Sequence, residues 1–273
     1  MKSIEKLNNK FNRNLHICVG LDTDINKIPK HLIKFDDPVF EFNKQVIEST
    51  KKDCAAYKLN LAFYEKDGIN GLRTLEKTLS EIPSDVLTIG DAKRGDIGNT
   101  SKMYAESLFH HFGFDASTLH PYMGKDSVDP FLDYESKLNF ILVLTSNQSN
   151  KDFEKLKLQN GKFVYQEVLS KVNDWNNKNN CGIVFGATNP QELKDNISSF
   201  NNLPILLPGV GSQGGSLEEV VEIFESADNK NYLINVSRAL IYCDSTESFP
   251  GKIHYTLEEY NSIIQRIKNK LVS

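Results

Sequence analysis

Eight short apolar and β-branched runs punctuate the chain, and helix-like stretches fill the intervals between them. The runs are Leu15–Asp22, Cys54–Leu61, Asp85–Lys93, Ala116–Pro121, Phe140–Ser146, Cys181–Thr188, Pro204–Val210 and Tyr232–Arg238. Several are nearly continuous in apolar character, the pattern of parallel strands covered on both faces. Between them the period becomes helical. In Val39-Phe-Glu-Phe-Asn-Lys-Gln-Val-Ile, the residues Val39, Phe42, Val46 and Ile47 fall close to i, i+3, i+7, i+8 spacing. Ser216-Leu-Glu-Glu-Val-Val-Glu-Ile-Phe opens with a capping serine and an acid three residues on. The long interval Asn147–Asn180 reads as a mobile loop followed by a helix over Val164–Asn176. Tyr255–Leu271 reads as a closing helix, and Ser3–Phe11 as an extra helix before the first strand. Strands alternating with helices eight times predict an α/β fold, a (β/α)8 TIM barrel forming a single domain over residues 1–273. A doubly wound open sheet is the structural alternative. No linker, repeat or second domain interrupts the pattern.

Composition narrows the class. The 273 residues suffice for one barrel, which typically needs ~250. With 39% hydrophobic and 25% charged residues the chain is ordinary for a soluble globular protein. A net charge of -4 gives no basic footprint for nucleic acid, and no apolar run reaches the ~18 residues that span a bilayer. The N-terminus, Met-Lys-Ser-Ile-Glu-Lys-Leu-Asn-Asn-Lys, lacks the apolar centre of a signal peptide. Cys18, Cys54, Cys181 and Cys243 are scattered, and the first three lie in or beside strand-like runs. Buried reduced thiols, rather than disulfides or a zinc site, are the expectation, and with it a cytoplasmic location.

Candidate chemistry concentrates where the predicted strands end. The third run closes as Leu87-Thr-Ile-Gly-Asp-Ala-Lys-Arg-Gly-Asp-Ile-Gly-Asn-Thr100. Alternation along a strand aims Asp91 and Lys93 to one side, and Asp96 follows three residues beyond Lys93. Lys58 ends the second run in the same manner. Alternating acids and bases at strand ends suggest proton chemistry on an anionic substrate, although the hexapeptide alone is equally compatible with a solvated ion pair. In a barrel, catalytic residues fall at the C-terminal strand ends. Those ends here carry Asp22, Lys58, Asn60, Asp91, Lys93, His120, Thr145, Ser146, Pro208 and Arg238. Leu207-Pro-Gly-Val-Gly-Ser-Gln-Gly-Gly215 is glycine-rich and leads to a helix, and Ile234-Asn-Val-Ser-Arg238 ends the eighth run with an arginine. Loops after strands seven and eight are the usual phosphate grip of such barrels, with backbone N–H groups and a forked guanidinium as donors. Taken singly, the glycines need only permit a tight turn.

Lys58, Asp91-x-Lys93-x-x-Asp96, Pro208-Gly-Val-Gly-Ser-Gln-Gly-Gly215 and Arg238 together resemble orotidine 5'-phosphate decarboxylase. Val19-Gly-Leu-Asp22, Lys58-Leu-Asn-Leu-Ala-Phe-Tyr-Glu65 and Leu144-Thr-Ser-Asn147 resemble its longer bacterial and protozoan branch. The resemblance runs from about Val19 to Tyr242. It implies conversion of orotidine 5'-phosphate to uridine 5'-phosphate and CO2, the last step of de novo UMP synthesis, through a C6 carbanion and with no cofactor or metal. It implies Lys58, Asp91, Lys93 and Asp96 as the catalytic array, with Lys93 protonating C6. Asp22 and Thr100 are implied at the ribose hydroxyls, with Asn60 near the lysines. Ser146, with Thr145 beside it, is implied at the pyrimidine edge, Pro208 along the ring, and Gln213, Ser237 and Arg238 at the phosphate. Ser237 stands where family members usually have glycine. Asp96, Ile97 and Thr100 are expected to act in trans, which implies a homodimer. No direct role is assigned to His120.

Two rivals share these features. Sugar-phosphate decarboxylases and hexulose-phosphate synthases of the same scaffold also carry D-x-K-x-x-D, but use a magnesium-binding acid where this chain has Lys58. A catalytically silent phosphate-binding barrel is the more distant rival, and the intact charges at 58, 91, 93 and 96 argue against it.

Overall fold

The computed structural model describes residues 1–211 and 214–272. Its strands β1 (Ile17–Gly20), β2 (Ala56–Asn60), β3 (Leu87–Arg94), β4 (Ala116–Leu119), β5 (Leu138–Leu144), β6 (Cys181–Phe185), β7 (Ile205–Pro208) and β8 (Tyr232–Val236) lie side by side in sequence order, all parallel. β8 closes onto β1 through the pairs Ile17↔Ile234 and Cys18↔Asn235. Every predicted run overlaps a strand. The differences lie at the ends: most strands are shorter than their runs, β3 continues to Arg94, and β5 starts two residues before the predicted Phe140.

Closure explains why the runs are apolar on both faces. Cys18, Leu87, Ile89, Phe140, Val184, Leu206 and Leu233 fill the barrel, and the N-terminal helix Ser3–Phe11 seals its lower end with Leu7 and Phe11, joined by Leu15 beyond the helix. The alternate residues, such as Val19, Tyr57, Ile205 and Leu207, pack outward against helices. Each such buried side chain contributes about 1.5–3 kcal/mol. Lys6 pairs with Asp115 at 2.8 Å and Lys10 with Asp85 at 2.9 Å, fixing the plug helix to the barrel floor.

The helices start where local chemistry satisfies their free N–H groups. Asp37 caps Pro38–Thr50 by accepting from the Phe40 N–H at 3.1 Å, and Ser216 caps Leu217–Ser226 through the Glu219 N–H at 3.2 Å. The closing helix spans Phe249–Val272 and so begins six residues before the predicted Tyr255. Pro250 sits in its first turn, where no N–H is needed. After β4 the helix shrinks to Asp129–Leu132. Among the described residues no helix is long and apolar enough to cross a membrane. Cys18, Cys54, Cys181 and Cys243 are all unbridged, and burial pushes the Cys54 thiol up to about 12.

His16 has a measurable consequence for stability. It is fully buried, stacked between Phe11 and Tyr232, with Nδ1 3.0 Å from the Tyr232 carbonyl. Burial drives its pKa down to about 3, whereas an unfolded histidine titrates near ~6.5. The unfolded chain therefore binds a proton that the folded chain refuses, and stability falls as pH drops through that window. The loss is at most ~1.4 kcal/mol per pH unit. His16→Phe, which keeps a flat ring in the stack, should lose ~2–3 kcal/mol less than wild type between pH 6.5 and 4.5 in urea titrations. Parallel pH profiles for the two proteins would exclude His16 as a source of acid sensitivity.

Candidate active site

The C-terminal ends of the strands surround a cavity of about 400 Å³. Its floor is the topmost inward layer of the barrel, and there the apolar filling gives way to charge. Lys58 from β2 and Asp91 from β3 stand on neighbouring strands and are almost fully buried, with side-chain exposures of 5% and 8%. Lys58 Nζ donates to Asp91 Oδ2 at 2.6 Å, and Lys93 Nζ donates to Asp91 Oδ1 at 2.6 Å. Asp22, beyond β1, brings Oδ1 to 3.8 Å from Lys58 Nζ, and this oxygen has no hydrogen-bond partner among the described residues. Burial pushes Asp91 toward the neutral form, but Lys58 and Lys93 outweigh it and hold its carboxyl well below the usual carboxylate range. Burial likewise opposes the charge on Lys58, and Asp22 and Asp91 overcome it and raise its pKa above that of an ordinary lysine. The floor is thus a fixed alternation of ammonium and carboxylate, with Lys93 half-exposed toward the cavity.

Lys93 reaches Asp91 by a different route from simple strand alternation. Its backbone is left-handed, with φ of 47°, a conformation that costs a non-glycine residue about 1–2 kcal/mol. The β3–β4 register also shifts between Gly90 and Arg94. Beyond the shift, a Cβ on Gly95 would stand 2.7 Å from the His120 ring, so only glycine lets the chain turn there. His120 packs over this turn and does not line the cavity.

The rim carries six more of the predicted residues. Asn60, Thr145, Ser146, Pro208, Ser237 and Arg238 all line the cavity. Thr145 is held from behind: its N–H donates to Glu154 at 2.7 Å, and its hydroxyl lies 2.9 Å from Glu154 Oε1 and 2.6 Å from Asn147 Oδ1. Asn150 and Asn189 both donate to the Thr145 carbonyl, at 2.8 and 3.1 Å. These bonds, with the Lys155–Glu192 ion pair, tie the segment before the helix Val164–Trp175 to the barrel. Ser237 is accommodated by the neighbouring strand: its hydroxyl donates to the Gly20 carbonyl at 3.2 Å, and a Cβ on Gly20 would lie 2.7 Å from Ser237 Cβ. Gly209, Gly211 and Gly214 all have positive φ in the loop after β7. Gln213 lies outside the described residues.

Asp96, Ile97 and Thr100 do not line the cavity. Asp96 accepts from the Ile97 N–H at 2.8 Å, and Ile97 and Thr100 are exposed at the start of the helix Gly98–Glu106. Sequence reasoning missed Thr118, Leu142, Val184, Leu206 and Asn235, which also line the cavity. Counting inward positions by twos along each predicted strand marks them as facing into the barrel, but not as reaching the cavity. Asn235 is 8% exposed, and its Oδ1 has no hydrogen-bond partner among the described residues. Among the described residues no group of three or more His, Cys, Asp or Glu side chains is placed to hold a metal ion.

A closed parallel barrel with a Lys–Asp–Lys floor, and with a glycine-rich loop and an arginine at the ends of β7 and β8, defines a barrel enzyme for a phosphorylated anionic substrate. The chain belongs to the orotidine 5'-phosphate decarboxylase / HUMPS family, whose sequence profile matches residues 16–247. It is 48% identical over 236 residues to orotidine 5'-phosphate decarboxylase of Phocaeicola vulgatus, covering 85% of this chain and 86% of that one. The Parabacteroides distasonis enzyme of the same name is 49% identical over 236 residues, covering 85% and 84%. Among solved structures, OMP decarboxylase of Leishmania donovani superposes with a TM-score of 0.83 at 34% identity, covering 97% of this chain and all of that one.

Proposed function

We propose that the Lys58–Asp91–Lys93 floor drives decarboxylation by electrostatics and a single proton transfer. The activity is that of an orotidine 5'-phosphate decarboxylase, a carboxy-lyase forming uridine 5'-phosphate in de novo pyrimidine synthesis. The observation that carries the mechanism is the buried carboxylate of Asp91, clamped by two ammonium groups and facing the cavity. A substrate carboxylate seated beside Asp91 meets a like charge. At ~4 Å and an effective dielectric near 20 the repulsion is about 4 kcal/mol before the lysines offset part of it. The C6–carboxylate bond breaks with its electron pair left on C6, and loss of neutral CO2 removes the repulsion. The Lys93 ammonium stabilises the carbanion and then gives it a proton, ending as an amine that solvent reprotonates.

Binding follows the rim. Asp22, which lines the cavity next to Lys58, suits the ribose hydroxyls, and Asn60 lies beside the lysines. Ser146 suits the pyrimidine edge, Thr145 sets that corner through Glu154, and Pro208 lines the ring. Arg238, Ser237 and Gln213 form the phosphate grip. Asp96, Ile97 and Thr100 complete the site of a second copy of this chain in a homodimer. Support for that arrangement comes from large apolar side chains left exposed near these residues in the chain: Ile97 and Met103 are 54% and 47% exposed. Exposed apolar surface is a marker of an interface.

The rival with a magnesium site is disfavoured by Lys58, whose ammonium lies 2.6 Å from Asp91 where a divalent cation would need an acid. The deciding assay follows the orotidylate absorbance with excess EDTA present. Full turnover is expected. A requirement for added magnesium would favour the sugar-phosphate rival, and no turnover of orotidylate would overturn the reading.

A further inference from the structure

We propose that Thr118 is a positioning residue for the decarboxylation, a hydroxyl on β4 that sets both the Asp91 carboxylate and the Lys93 backbone. The proposal rests on the roles given to Asp91 and Lys93 above. Thr118 is 2% exposed, and its Oγ1 lies 2.9 Å from Asp91 Oδ1 and 3.0 Å from the Lys93 nitrogen. An amide N–H only donates and a carboxylate oxygen only accepts. The direction of both bonds is therefore decided: the hydroxyl accepts from Lys93 and donates to Asp91.

The sheet explains why a side chain does this work. The β3–β4 register runs Ile89↔Ala116, Gly90↔Ser117 and then Arg94↔Leu119. Asp91, Ala92 and Lys93 thus stand opposite Thr118 alone, and the extra residues of the bulge leave a backbone N–H without a ladder partner. Thr118 Oγ1 supplies that partner, at the residue whose φ of 47° is left-handed. The left-handed backbone in turn brings Lys93 Nζ back to 2.6 Å from Asp91 Oδ1. One hydroxyl thereby holds the proton donor and the charged neighbour of the leaving carboxylate in a single geometry. Substrate capture depends on other groups, above all the phosphate grip at Arg238, so loss of Thr118 should act on the chemical step.

The test compares hydroxyl-bearing and hydroxyl-free residues at this position. Thr118→Val keeps the shape and removes the hydroxyl. Its kcat should fall about 10- to 100-fold, the range a hydrogen bond to a charged group commands, with KM and UMP affinity within about twofold of wild type. Thr118→Ser should return kcat to within a few-fold. If the valine variant does not fold, Thr118→Ser against Thr118→Ala carries the same comparison, since both lack the methyl and differ in the hydroxyl. Wild-type kcat in the valine variant, equal impairment of the serine and alanine variants, or a loss confined to KM would each overturn the proposal. Amide hydrogen exchange at Lys93 reads the contact independently of turnover. It should be slow in wild type and fast in Thr118→Val, and unchanged exchange would overturn the proposal even if the enzyme decarboxylates orotidylate.

Discussion

Replacing Lys93 by alanine is expected to abolish decarboxylation while leaving nucleotide binding measurable. Lys93 is the half-exposed member of the floor, joined to Asp91 and facing the cavity, and the carbanion has no other proposed proton source. The fold should survive, because Asp91 keeps its bonds to Lys58 and Thr118. Breaking both partners of a buried charge would cost about 3–5 kcal/mol, but here one remains. Nucleotide affinity should change modestly, since the groups proposed for the ribose and phosphate are separate from Lys93. The measurement pairs orotidylate turnover with UMP titration calorimetry. Near wild-type turnover would remove Lys93 from the mechanism, and loss of UMP binding in a folded variant would show that it serves binding instead.

Mixing two inactive variants should restore activity. Asp96→Ala and Lys93→Ala chains are each expected to be inactive alone. If Asp96 serves the partner's site, a mixed dimer carries both lesions in one site and neither in the other. Each heterodimer should then show up to about half of wild-type activity. The motivation is positional: Asp91 and Lys93 lie on β3 and at the cavity, whereas Asp96 lies past the strand and outside the cavity lining. Native mass spectrometry would establish that heterodimers form. No recovery in their presence would mean that each site is built from one chain.

The legibility of the site in the sequence varied with the range of the interactions involved. Lys58, Asp91 and Lys93 were readable because each sits where an apolar run stops, and a strand end is a local event. Asp22, Asn60, Pro208 and Arg238 were readable for the same reason. Thr118 was not, because a threonine inside a strand carries no local mark: Thr88 on β3 bonds to Asp115 near the barrel floor, while Thr118 on β4 bonds to Asp91 at the mouth. Glu154 was equally silent, since its partner Thr145 is joined to it by the course of a loop. Lys93 shares the side of Asp91, as strand alternation predicts, but the chain brings it there by another route, because the β3 bulge intervenes.

The amino-acid sequence by itself determined the order of strands and helices, the two-sided burial of the strands, the helix caps at Ser216 and the plug helix Ser3–Phe11. These follow from periodicity and from the chemistry of neighbours a few residues apart. Only the tertiary structure decided the register shift between β3 and β4, the left-handed backbone of Lys93, the hydroxyl that holds it, and the fit of Ser237 against Gly20. Each depends on which strand lies beside which and by how many residues they are offset. That offset is set by closing eight strands into one ring, a condition on the whole chain that no local window contains.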